Sequence, residues 1–178
     1  MSARTVLDAN DINRAIIRIS HEIVESNHGT DNLLLLGIPT RGVFLADRIA
    51  KSIKLNYPDF DLSSSVGKLD VTMFRDDLSQ KPSRQVEATI IPVADMASKT
   101  VVLVDDVLFS GRTIRAALDA LVTFGRPKAV RLAVLIDRGH RELPIRADFV
   151  GKNLPTSLDE RIRVKLTESD DEQSVVIE

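Results

Sequence analysis

Apolar positions along this chain fall alternately into helical stripes and short continuous runs, the pattern of strands alternating with helices around a mostly parallel sheet. Asp8 stands where an N-cap would open a helix running to about Asn27 and ending at Gly29. Ile12, Ile16, Ile19 and Ile23 form its apolar stripe, and Arg14, Arg18 and His21 fall on the opposite face. Leu33–Ile38 is a wholly apolar strand, and Gly42–Asn56 is an amphipathic helix with Val43, Ala46, Ile49, Ala50 and Ile53 on one side. Val66–Phe74 is predicted as a strand. From Arg75 to about Lys99 the pattern breaks three times, at Asp76-Asp77, Lys81-Pro82-Ser83 and Pro92. Val101–Asp105 is the predicted central strand, Thr113–Phe124 its helix and Ala129–Ile136 the next strand. Arg161–Leu166 alternates, and an acidic turn at 168–172 leads to Val175–Ile177, which together predict a terminal hairpin.

Length and composition narrow this picture only a little. A chain of 178 residues is expected to form one domain, 1–178, with a sizeable core. There is no cysteine, so disulfides, a thiolate metal site and a cysteine nucleophile are excluded. No signal-peptide pattern or membrane-length apolar run occurs, and the expected location is the cytoplasm. The net charge of −2 argues against indiscriminate nucleic-acid binding. The charge is nevertheless uneven. Residues 126–165 hold ten Lys or Arg against five Asp or Glu, so this segment is +5 and the remainder −7.

Candidate chemistry concentrates in residues 101–113, Val-Val-Leu-Val-Asp-Asp-Val-Leu-Phe-Ser-Gly-Arg-Thr. A strand buried on both faces ends in two carboxylates, and a loop of small and hydroxylic residues then opens a helix. Ligands of an open α/β sheet bind outside the carboxyl ends of its strands. The loop amides would converge at a helix N-terminus, which favours phosphate. Gly111 allows close approach, and the Ser110 and Thr113 hydroxyls add donors. Asp105 and Asp106 suit neutral hydroxyls or a hard cation such as Mg²⁺ instead. Phosphate, diol and metal side by side describe a phosphorylated sugar. No Walker-type loop or dinucleotide fingerprint is present. Gly37-Ile-Pro-Thr-Arg-Gly42 also follows a buried strand and opens a helix, giving a second anion site from the Thr40, Arg41 and Gly42 amides and the Arg41 side chain. Arg75, before the breaker-rich stretch, fits a cation on a lid, and Arg84 could serve from further along.

The 101–113 segment resembles the phosphoribosyl pyrophosphate (PRPP) signature of the type I phosphoribosyltransferases. With Gly37–Gly42, Phe74-Arg-Asp-Asp-Leu78 and residues 137–153, the likeness covers the chain from about residue 5 to the end. It extends to the branch of that family that joins uracil phosphoribosyltransferase activity to regulation of pyrimidine operons. The resemblance implies an α/β type I phosphoribosyltransferase fold, a mostly parallel central sheet flanked by helices with a small hood and a C-terminal hairpin. It implies PRPP and uracil as substrates, UMP or UTP as co-regulators, and Mg²⁺ met by Asp105 and Asp106 through PRPP or water. Arg41, Asp105 and Asp106 take the catalytic roles. Thr40 and Arg41 correspond to the pyrophosphate loop, and Val104, Asp105, Asp106, Val107, Leu108, Phe109, Ser110, Gly111, Arg112 and Thr113 to the ribose-phosphate site. Arg138, Phe149 and Val150 correspond to the base site, with Phe149 stacking on uracil; from the sequence alone Phe149 fits a core position as well. The resemblance further implies binding of pyrimidine-operon mRNA, through Arg18, His21, Arg141, Arg146 and Lys152, and a homodimer or higher homo-oligomer. The chain departs from that pattern at Ile17, where a polar Thr is expected, and at Ser26, where an Arg is expected. A purely metabolic phosphoribosyltransferase without an RNA role stays open at this stage.

Overall fold

Four leucines and a glycine, all buried, make β2 (Leu33–Gly37) the second strand from the edge of a five-stranded parallel sheet. The computed structural model describes residues 3–76 and 85–178. Its large sheet has the order β3-β2-β4-β5-β6, with β3 at Val66–Lys68, β4 at Thr100–Leu108, β5 at Ala129–Asp137 and β6 at Phe149–Asn153. Alternation along these strands sorts their side chains into two cores. Leu33, Leu35, Val102, Val104, Ala133 and Leu135 meet α1 (Ala9–Ser26) and α2 (Arg41–Asn56) on one face. Leu34, Leu36, Val101, Leu103, Leu132 and Val134 share the other core with α4 (Arg112–Val122). A strand buried on both faces needs a continuous apolar run, which is why these segments were readable.

A second sheet, β1-β8-β7, is antiparallel and comprises Arg4–Leu7, Ser174–Ile177 and Ile162–Lys165. The expected terminal hairpin is therefore present, and the N-terminal strand joins it through Arg4↔Ile177 and Thr5↔Val176. β1 has only four residues, too few to declare itself by periodicity. Val164, Leu166 and Val175 from this sheet are buried in the same core as α1 and α2. No helix among the described residues is long and apolar enough to cross a membrane.

Two predicted elements differ in extent. Val66–Phe74 is not one strand, because β3 stops at Lys68 and Thr72–Phe74 forms a 3-10 turn. Buried Asp70 causes the break, its carboxylate accepting the N–H groups of Thr72 (2.7 Å) and Glu87 (2.8 Å). The central strand runs past Asp105 to Leu108, paired with β5 through Asp105↔Val134, Val107↔Ile136 and Leu108↔Asp137. The two acids thus sit inside the strand's last turns of pleat rather than at its end. A short helix, α3 (Leu62–Ser65), precedes β3 and is capped by Asp61.

Candidate active site

Parallel pairing of β2 with β4 sets Gly37 opposite Val104, so the turn after β2 and the acids of β4 lie side by side. The Ile38 N–H donates to the Val104 carbonyl at 2.9 Å. A Cβ on Gly42 would come within 2.4 Å of the same carbonyl oxygen and 3.3 Å of the Asp105 Cα. Only glycine lets α2 begin this close to β4. Thr40 and Arg41 are thereby brought beside Asp105, and the Pro39–Thr40 peptide between β2 and α2 is cis.

Asp105 is buried and Asp106 half-buried. Asp105 Oδ1 accepts the Asp106 N–H and Asp106 Oδ1 accepts the Val107 N–H, both at 2.9 Å. One oxygen of each carboxylate is thus held by the strand's own backbone, which orients the pair. Past Leu108 the chain turns at Gly111, whose φ of +93° is the left-handed conformation glycine adopts freely, and α4 starts at once. The segment 139–145 backs this loop. Glu142 and Leu143 N–H groups donate to the Ser110 carbonyl (2.9 and 3.2 Å), and Arg141 Nη1 donates to the Phe109 carbonyl (2.8 Å). With those carbonyls engaged behind the loop, the first-turn amides of α4 supply its donors. Arg75 Nη1 donates to Thr113 Oγ1 at 2.7 Å, so the segment after the 3-10 turn reaches the same helix start. Arg84 lies outside the described residues. The Arg112 guanidinium is committed to Asp76 (2.6 Å) and Glu142 (2.7 Å), and the Glu142 bond holds its pKa above the usual value. Arg112 can therefore serve the loop through its backbone N–H.

Around the next strand end, Arg138 is buried with its guanidinium carbon 4.3 Å from the Phe109 ring centroid. Its Nε donates to Thr156 Oγ1 (3.0 Å) and its Nη2 to the Ser157 carbonyl (2.9 Å), while burial lowers its pKa. His140 meets the Phe109 ring edge-on at 6.1 Å. An aromatic face, with a cation behind it, stands at the mouth of the site. The expectation for Phe149 is corrected. Phe149 is 6% exposed in the core with α1, because it opens β6 opposite Ala133, at the end of the strand away from Asp137 and the site. Val150 faces the opposite core and is half-buried. Phe109 and Arg138 are the planar groups beside the 109–113 loop, and their contact left no local sequence signal, since 29 positions separate them.

The five residues expected at an RNA face are only partly grouped. Arg18 on α1 donates to the Val150 carbonyl (3.2 Å) and the Gly151 carbonyl, and pairs with Glu22. Lys152, on the same edge strand, reaches the Val6 carbonyl (3.3 Å). His21 is exposed one turn further along α1, and Arg146 is exposed before β6. Arg141 is folded into the turn behind Phe109, bonded to Asp137 and to the Gly139, Ile145 and Phe109 carbonyls. Its guanidinium is consumed by structure. The sequence reading missed Asp170, which pairs with Arg41, and the Arg48 bonds to Glu168 and Gln173 that lie next to it.

Two helix-opening turns stand beside a carboxylate pair on adjacent parallel strands, and the family model described as a phosphoribosyl transferase domain matches residues 2–163. Solved structures support the fold at 15–16% identity: a hypoxanthine-guanine phosphoribosyltransferase of Bacillus anthracis has a TM-score of 0.72 over 97% of this chain and 96% of its own. The hypoxanthine phosphoribosyltransferase of Trypanosoma cruzi has a TM-score of 0.70 over 98% and 95%. Much nearer in sequence are the proteins named bifunctional protein PyrR from Leifsonia xyli, 62% identical over 100% of this chain and 98% of that protein, and from Streptomyces coelicolor, 58% identical over 98% and 89%. The Bacillus mycoides protein of the same name is 54% identical over 97% and 95%. The chain belongs to the phosphoribosyl transferase domain family and, within it, to the PyrR proteins.

Proposed function

We propose that this protein transfers the phosphoribosyl group of PRPP to uracil, giving UMP and pyrophosphate, and that occupancy of the same pocket regulates its binding to pyrimidine-operon mRNA. The observation that carries the first half is the adjacency of the Thr40-Arg41 turn, the Asp105-Asp106 pair and the Gly111-started helix. In this reading the loop amides with Ser110 and Thr113 hold the 5′-phosphate. Asp105 and Asp106 take the ribose hydroxyls directly or through water, and Thr40 and Arg41 hold the pyrophosphate. Uracil would lie against Phe109, backed by Arg138, with its ring nitrogen aimed at C1. The C1–O bond to pyrophosphate breaks as the bond to uracil nitrogen forms and that nitrogen's proton passes to water or to the released pyrophosphate, so negative charge grows on the leaving group where Arg41 stands. Stabilisation that is stronger in the transition state than in the ground state lowers the barrier. No covalent nucleophile is needed, and positioning supplies much of the rate. Arg75, already at Thr113, would help exclude water from the oxocarbenium-like centre.

Mg²⁺ fits this donor set. Asp105 and Asp106 are hard oxygen ligands, and no group of three or more metal-binding side chains occurs among the described residues. A metal here would take its remaining ligands from PRPP and water. Bound there, Mg²⁺ would neutralise charge on the pyrophosphate.

The RNA half rests on the +5 segment and on the bifunctional relatives. Arg18, His21, Arg146 and Lys152 are the candidates on that face; Arg141 would act by shaping the turn. The same reading places the protein in the cytoplasm as an assembly of two or more copies. Both halves are tested with one preparation. Incubation with PRPP, Mg²⁺ and uracil, hypoxanthine or orotate should give product with uracil alone; turnover of a purine instead contradicts the base assignment. Filter binding of the leader RNA over a salt series should show a steep salt slope and tightening by UMP. Binding indifferent to sequence and to UMP would leave a purely metabolic transferase.

A further inference from the structure

The C-terminal hairpin reaches the pyrophosphate turn, and we propose that Asp170 at its tip is a positioning residue that holds the Arg41 guanidinium where the departing pyrophosphate meets it. This rests on the assignment of Arg41 to pyrophosphate made above. Arg41 Nη2 donates to both Asp170 oxygens, at 2.9 and 3.1 Å. Among the described residues that carboxylate is the guanidinium's only acceptor, and Arg41 Nε is buried with no protein partner. The orientation of the side chain therefore depends on a residue 129 positions away.

Asp170 is itself fixed. Its Oδ2 accepts the Leu166 N–H (3.0 Å) and the Ser169 hydroxyl (2.8 Å). Those bonds, the Leu166 one first, and then Arg41 hold its carboxyl below the usual carboxylate range, so it is anionic at neutral pH. Leu166 and Val175 are fully buried and Val164 nearly so, which ties the hairpin to the main core. A second tie joins the hairpin to α2 without touching the pyrophosphate turn. Arg48 bonds Glu168 at 2.6 and 2.7 Å and Gln173 at 2.8 Å. Seven residues separate Arg41 from Arg48, so both lie on one face of the helix, two turns apart. One tie anchors the hairpin and the other aims a side chain. A hairpin that looks like a scaffold element in the sequence is thus part of the active site.

Steady-state UMP formation separates the possibilities, with urea unfolding as the check on folding. Asp170→Ala should lower kcat by about ten- to a hundredfold with the KM for uracil unchanged, as expected when a group is misaligned rather than lost. Glu168→Ala, which removes the ion pair of the neighbouring tie and spares Arg41, should turn over like wild type. In an Arg41→Ala background, Asp170→Ala should add nothing. Wild-type kcat in Asp170→Ala overturns the proposal, as does an equal loss in Glu168→Ala. If Arg41→Ala itself turns over normally, the pyrophosphate assignment fails; if Arg41→Ala is slow while Asp170→Ala is normal, only the positioning role fails.

Discussion

At position 42 a methyl group has nowhere to go. A Cβ there would sit 2.4 Å from the Val104 carbonyl oxygen, a backbone atom in the middle of the sheet that cannot swing aside. Gly42→Ala should push the start of α2 away from β4, costing about 1–3 kcal/mol of stability. It should also carry Thr40 and Arg41 off the carboxylate pair, so UMP formation should fall further than the loss of folded protein in a thermal melt explains. A stable variant with wild-type turnover would contradict the close approach. At this scale the sequence was readable where chemistry is contiguous. Asp105, Asp106, Ser110, Gly111 and Thr113 lie within nine positions in the order that a sugar phosphate requires. It was not readable where partners are distant: Asp170 reaches Arg41, and Arg138 reaches Phe109, only through the fold. Phe149 fits the core reading of its sequence and not the stacking role implied by the resemblance, because it opens β6 at the end of the strand away from the site.

Among the elements, α1 best shows how local rules set a boundary. Asp8 accepts the Asp11 N–H at 2.8 Å while Asp11 accepts the Asp8 N–H at 3.1 Å, a reciprocal cap that satisfies two otherwise free donors. Asp8→Ala should cost about 1 kcal/mol. A calorimetric melt should show this as a drop of about 2–4 °C in Tm, with uracil turnover unchanged at 25 °C because, among the described residues, the Asp8 carboxylate bonds only the Asp11 N–H of its own cap. An unchanged Tm would mean that tertiary contacts alone hold the helix start. Helices and doubly buried strands were legible because their apolar periods are long. The four-residue β1 was not, and the predicted strand at 66–74 broke at Asp70, whose carboxylate bonds along the chain outweigh β-propensity nearby. β4 ran three residues further than expected because ladder bonds to β5 continue beneath polar side chains.

For the whole molecule, the two sheets have different duties joined at one helix. The parallel sheet sets two turns and a carboxylate pair at adjacent strand ends, and the antiparallel sheet leans its hairpin tip on α2. The α/β class followed from patterning alone, and the expectation of a site at the strand ends followed from the link between strand order and ligand position in α/β sheets. The joint between sheets did not follow, because no period or motif encodes an ion pair between Arg41 and an acidic turn. The account's central claim is that the β4 carboxylates and the turns beside them form a PRPP site serving uracil. The direct measurement is the rate of UMP formation from uracil and PRPP with Mg²⁺, comparing wild type with Asp105→Asn/Asp106→Asn. Both amides keep an oxygen for the backbone N–H each carboxylate now accepts, so the fold should persist. The account predicts that the double variant loses at least about a hundredfold in kcat/KM for PRPP, as removal of preorganised electrostatic groups does. A folded double variant that makes UMP at the wild-type rate would contradict it.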